Sequence, residues 1–201
     1  MSHHKPHIAP PRTLRDRYVI DTNVLIAASA VHAAANGVSQ PHHREVTPED
    51  PVLLATVCDW LMAFDASASR LVLDSAGGIA AEYHHKLDYN DFGIQVLLGK
   101  INRSEVDFVD VDYDNNGDGI VPQPLDDVVR DLADRKMLAA ALQALSLPGT
   151  SAIAFAGDTD WLDWEPALVQ TGIVLEPLIE AWSRAKHLEK HPHRPREHRH
   201  D

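Results

Sequence analysis

The chain has 201 residues, 44 % hydrophobic and 24 % charged, enough for one α/β domain with a sizeable core and too few for two. Its single cysteine, Cys58, excludes an intramolecular disulfide, no apolar run reaches the roughly 18 residues of a membrane span, and no apolar h-region follows the N-terminus, so a cytoplasmic protein without membrane contact is expected. The net charge is −12, yet residues 1–17 and 184–201 each hold three more basic than acidic residues, which leaves −18 on the body between them; such a body repels phosphate, and nucleic-acid contact needs cations or the basic ends.

Taken in chain order, residues 1–17 read as a basic flexible arm. "YVID" (18–21) is a short apolar strand ending on an acid, and it runs into the helical "TNVLIAASA". Residues 36–51, with Gly and Pro and no periodicity, read as an inserted loop. The following helix places Leu54, Cys58, Leu61 and Met62 on one side. "RLVLD" (70–74) is a second strand, and "IAAEYHHKL" a helix with Ile79, Tyr83 and Leu87 in a stripe. A helix over 91–101 precedes a third strand over 106–111, and 112–123 is a polar loop. "DLADRKMLAAALQAL" (131–145) is the clearest helix, rich in strong helix formers and closed by Pro148-Gly149. "SAIAFAGD" (151–158) is a fourth strand, 173–177 a short fifth, and a last helix begins with "LIEAWSRAKHL". The domain is expected over 18–183, with 184–201 a His/Arg-rich flexible tail. Strands alternating with helices predict a single three-layer α/β domain: a central, mostly parallel sheet with helices on both faces.

In such a sheet the carboxyl ends of the strands form the ligand edge, and Asp21, Asp74 and Asp158 each end a predicted strand. Glu82 lies on the helix after the second strand, close enough to that edge to point inward. Asp131 suits the cap of the long helix and Asp134 its first turn, where free backbone N–H groups favour negative charge. "GDTDW" sends Asp158 and Asp160 off one strand end. Carboxylates held this close repel one another and raise each other's pKa. A hard divalent cation relieves the repulsion, and an oxygen-ligand site suits Mg²⁺ or Mn²⁺. Such a site fits phosphodiester hydrolysis by in-line displacement.

With these motifs collected, "VIDTNVLIAA", "LVLDSAGGIAAEYHHKL", "LADRKMLAAAL" and "AFAGDTDWL", in that order over roughly 18–180, the chain resembles the PIN-domain nucleases. The resemblance implies a PIN-like fold and Mg²⁺- or Mn²⁺-dependent cleavage of RNA. Its metal-binding and catalytic acids fall on Asp21, Glu82, Asp134 and Asp158, with Asp160 as a frequent extra ligand. Asn23 holds the loop after the first acid, and Thr22 and Asp131 support the site. Where family members usually carry Ser or Thr two residues before the fourth-strand acid, this chain has Ala156; Thr159 is the nearby hydroxyl that could stand in for it. The same resemblance admits a non-catalytic RNA- or partner-binding module, and a toxin ribonuclease paired with an antitoxin. This chain is longer than compact toxins. A homodimer is also open.

Other motifs carry less. "DYDNNGDGIVPQ" places Asp112, Asp114, Asn116 and Gly117 at calcium-loop spacing, but its twelfth position is Gln123 rather than a bidentate Glu, which favours a surface turn. His84 and His85 are neighbours on a helix and point apart. The His-rich tail lacks cysteine partners and a fixed geometry, and its charge suits RNA phosphate better than zinc. Trp161, Trp164 and Trp182 read as core or rim residues rather than base-stacking platforms.

Overall fold

The computed structural model describes residues 13–37 and 46–192. Five strands form one sheet: β1 (Arg17–Ile20), β2 (Arg70–Asp74), β3 (Val106–Val109), β4 (Ser151–Phe155) and β5 (Leu175–Pro177). Their order is β3-β2-β1-β4-β5, and every neighbouring pair is parallel. Between and after them run α1 (Thr22–Ala35), α2 (Pro51–Ala66), α3 (Gly78–Lys86), α4 (Phe92–Asn102), the short α5 (Leu125–Val128), α6 (Leu132–Ala144), α7 (Asp160–Gln170) and α8 (Glu180–Lys190). This is the predicted three-layer α/β domain.

The order has a direct consequence. From β1 the chain steps outward to β2 and β3, then returns past β1 to β4 and β5. With right-handed crossovers, the helices before β3 cover one face and those after it the other. The reversal falls between β1 and β4, where flanking loops part and leave a crevice at the carboxyl edge. Asp21 and Asp158 follow β1 and β4, on either side of it. The two strands are in register from Arg17 opposite Ser151 to Ile20 opposite Ala154, and the Asp21 N–H continues the ladder to the Ala154 carbonyl at 2.9 Å.

The three inner strands β1, β2 and β4 are almost wholly buried, as both their faces are covered, whereas the edge strands β3 and β5 are partly exposed, Phe108 by 61 %. The helix over 51–66 buries Val57, Trp60, Leu61 and Phe64, while Met62 is 44 % exposed. Of the expected stripe, Cys58 and Leu61 are buried and Leu54 half-buried, and only Met62 turns outward; the buried face extends instead to Trp60 and Phe64, which stack on each other and meet Tyr18 of β1 edge-on.

Helix α4 crosses α1 closely at Gly93, whose N–H donates to Ser29 Oγ at 2.9 Å. An added Cβ at this position would lie 2.7 Å from Leu25 Cβ. Gly93→Ala is therefore expected to cost about 1–3 kcal/mol of overpacking, at about 2–4 °C of melting temperature per kcal/mol. An unchanged melting curve would show that the two helices separate freely.

Two expected boundaries move. Residues 15 and 17 are not a free arm: Arg15 pairs with Glu176 at 3.2 Å, and Arg17, in β1, pairs with Asp107 at 2.9 Å. At the other end α8 continues to Lys190, so a tail starting at 184 cuts through a helix whose ion pairs and histidines hold it to α7. The inserted loop of 36–51 begins as read, after α1, but Pro51 already belongs to α2, capped by Asp50. Residues 1–12, 38–45 and 193–201 lie outside the described residues, and with them most of the basic arm and the end of the tail. Among the described residues no helix is long and apolar enough to cross a membrane.

Candidate metal centre

Asp21 leaves β1 in extended conformation and caps α1. One carboxylate oxygen accepts from the Asn23 N–H at 2.7 Å and the other from Trp161 Nε1 at 2.9 Å. The residue is 2 % exposed. Its position is fixed from behind, because the Tyr83 hydroxyl donates to the Ile20 carbonyl at 2.5 Å and pins α3 to the end of β1. Asp134 enters from the first turn of α6, below the cap that Asp131 forms by accepting from the Ala133 N–H at 2.9 Å. Asp158 follows β4 and accepts from the Asp160 N–H at 2.8 Å. One carboxylate oxygen of each of Asp21, Asp134 and Asp158 lies within 4.8 Å of the others.

The electrostatics of this trio are unfavourable without a guest. Burial raises Asp21 to about 7, against the two hydrogen bonds it accepts, and the Asp158 charge adds to the rise. Burial raises Asp134 to about 9, helped by the charges of Asp21 and Asp158. Asp158 is also raised, first by burial, with its hydrogen bond from Asp160 opposing. No ion pair from a described residue reaches the three carboxylates, and none of the described residues donates a hydrogen bond to the Asp134 side chain. Three carboxylate oxygens within reach of one centre, with no ion pair from a described residue on them, are the donor set of a hard divalent ion once deprotonated. The cluster can bind metal.

Of the four acids expected to meet, Glu82 stands outside the trio. Thr22 Oγ1 donates to its Oε1 at 2.5 Å, and Lys136 Nζ lies 2.6 Å from Oε2, held by charge rather than by a well-aimed hydrogen bond. Asp160 also stands outside the trio: its carboxylate pairs with Lys190 of α8 at 3.0 Å. Thr22 supports the site by holding Glu82. Asn23 contributes through its backbone N–H, rather than through a recorded side-chain bond. Thr159 does not replace the hydroxyl missing at the buried Ala156: its Oγ1 is buried and has no hydrogen-bond partner among the described residues.

Two contributors escaped the sequence reading. Lys136 lies two residues beyond Asp134, and a search confined to acids passes over it. Trp161, read only as a core or rim residue, is fully buried as that reading has it, and its indole N–H also orients Asp21. Asp74, the remaining strand-end acid, is a structural residue. Its oxygens accept from the Gly78 and Ile79 N–H groups, each at 2.7 Å, and from the Tyr113 hydroxyl at 2.8 Å, so it caps α3 and leaves the cluster. Asp74→Asn loses at least one of these bonds and is expected to cost about 1–3 kcal/mol while stabilisation by Mn²⁺ is kept. Loss of the Mn²⁺ effect in this variant would place Asp74 in the site.

The polar loop closes on itself. Asp114 Oδ1 accepts from the Asn116 and Asp118 N–H groups, and Tyr113 bridges to Gly119. Those bonds explain its calcium-like composition as turn chemistry. His84 and His85 are exposed, while Trp164 is buried and Trp182 half-buried against the core. No protein-family model, curated protein or solved structure matches the chain.

Proposed function

We propose that the chain is a Mg²⁺- or Mn²⁺-dependent ribonuclease of the PIN-like kind. The observation that carries the reading is the meeting of Asp21, Asp134 and Asp158 at the sheet's switch point, where no described residue forms an ion pair with them. Each comes from a different element, so the meeting is a product of the fold and not of local sequence. When bound, a divalent cation supplies charge at a phosphodiester oxygen and an activated water. The chain's own part is positional: the Trp161 and Asn23 N–H groups fix Asp21, the cap at Asp131 sets the turn that presents Asp134, and the Asp160 N–H orients Asp158. The PIN-domain resemblance of the motifs directs this chemistry to RNA. With a body of −18, substrate phosphate reaches the edge only when cations offset the acids.

A second reading has its own observation. Glu82 is occupied by Lys136 and Thr22, which leaves three acids where the resemblance implies four. A three-acid site fits a non-catalytic module that binds RNA or a protein partner on the same fold. Cleavage of a mixed RNA pool by the parent protein, with Mn²⁺ and with chelator, tests the two. Mn²⁺-dependent cleavage supports the nuclease, and none under any divalent ion overturns it in favour of the module.

A further inference from the structure

A second cluster lies outside the aspartate trio and has another chemistry. His187 in the last turn of α8 and His191, the residue that caps its C-terminus, are four residues apart and face Asp163 in the first turn of α7. His187 Nε2 lies 2.9 Å from Asp163 Oδ1, and His191 Nε2 lies 3.1 Å from the same oxygen and 3.2 Å from Oδ2. The rings are 5.0 Å apart and tilted at 51°, so they converge on the carboxylate rather than stack. One ligand atom from each residue falls within 4.8 Å of the others. The His187 side chain is mostly buried, whereas that of His191 is 40 % exposed.

The geometry points to a binding site for a zinc-like transition-metal ion formed by Asp163, His187 and His191, independent of the aspartate trio. Histidines at i and i+4 are a known way to present two imidazole nitrogens to one ion, and here the spacing is kept across the helix end by the bond from the His191 N–H to the His187 carbonyl. Zinc bonds of about 2.0–2.1 Å set tetrahedral ligand atoms about 3.3 Å apart, so Nε2–O separations of 2.9–3.2 Å need to open by only a few tenths of an ångström. Three protein ligands and an open fourth position is a familiar zinc arrangement. The two sites sort ions by softness: imidazole suits Zn²⁺ and Co²⁺, whereas a cluster of carboxylates alone suits Mg²⁺ and Mn²⁺. An ion here would fasten α8 to α7 beside the existing Arg184–Glu165 pair at 3.0 Å. It would thereby set the position of Lys190, which reaches Asp160 next to Asp158.

The test is Co²⁺ titration of the full chain, stripped of metal and kept in excess Mg²⁺, followed by the visible absorption of low-coordinate Co²⁺. One equivalent of Co²⁺ should give the band, and Zn²⁺ should displace it. His187→Gln and His191→Gln should each weaken binding about 100-fold or more, since loss even of residues supporting a ligand costs 10–100-fold. Asp21→Asn, and the pair His84→Gln with His85→Gln, should leave the band unchanged. Because His191 is substantially exposed, its variant should keep the far-UV circular dichroism of the parent and decides the matter if His187→Gln unfolds. Absence of the band in the parent, or its survival in a folded His191→Gln protein, overturns the site. Loss of the band in an Asp21→Asn protein that keeps the far-UV circular dichroism of the parent also overturns it, because the ion would then sit in the trio.

Discussion

Asp158→Asn is expected to reduce Mn²⁺-dependent RNA cleavage on the order of 10²–10⁴-fold while leaving the protein folded. The magnitude follows from the several kcal/mol of charge stabilisation that a divalent ion contributes, at about 1.4 kcal/mol per tenfold in rate. Asp158 is the informative choice among the three. Asp21 also caps α1 and receives Trp161 Nε1, so Asp21→Asn confounds loss of a ligand with loss of a buried hydrogen bond. Among the described residues Asp158 accepts one hydrogen bond, from the Asp160 N–H, and an asparagine side-chain oxygen can still accept it. RNA binding without divalent ions should hold or improve, because one negative charge is gone from an edge that repels phosphate. Unchanged cleavage in a folded Asp158→Asn protein would remove Asp158 from the reaction.

How much of this site was legible in the sequence depends on how each residue reaches it. Asp21 and Asp158 sit directly after β1 and β4, so their convergence follows from strand order and short connections. Asp134 was legible through its cap: Asp131 fixes where α6 starts, and three residues later the side chain lies in the first turn. Glu82 was harder. Its place on α3 was readable, but a long side chain chooses among partners, and the choice fell to Lys136 and Thr22 from two other elements. Asp160 illustrates the same limit, since its partner Lys190 lies 30 residues away in a segment read as tail. That misreading also hid Asp163, His187 and His191. Basic and histidine-rich composition suggested a solvated end, while the contacts of Arg184 and His187 with α7 keep the helix docked through Lys190. The fold class, by contrast, needed only the alternation of strand and helix patterns, which tolerates a single misplaced member, Met62, in the stripe of α2.

Asp134→Asn is expected to make the metal-free protein more stable at pH 8 and to flatten its stability against pH. The sign follows from protonation. Asp134 titrates at about 9 in the folded protein, against 3.8 for an ordinary aspartate, so between those values the folded chain holds a proton that the unfolded chain releases. Stability from this group is complete below pH 4, falls as pH rises, and is lost by about 9. Asp21, raised to about 7, adds a similar fall over the lower part of that window, and above it the decline belongs mainly to Asp134. A tenfold change in proton affinity is about 1.4 kcal/mol, and each kcal/mol moves the melting temperature about 2–4 °C in a chain of this length. Asparagine keeps the shape without the charge, so the variant should gain on the order of 10 °C over the parent at pH 8 and only a few degrees at pH 5. Mn²⁺ should reverse the comparison. Its stabilisation of the parent should be larger at pH 8 than at pH 6, because the ion competes with protons for the same oxygens, and stabilisation by a ligand grows with its affinity for the folded state. In Asp134→Asn that stabilisation should fall sharply at both pH values. Melting curves of the two proteins at pH 6 and pH 8, with and without Mn²⁺, read out every part of this expectation. An equal Mn²⁺ shift in parent and variant would place the ion away from Asp134, and with it the trio would lose its claim to be the metal centre.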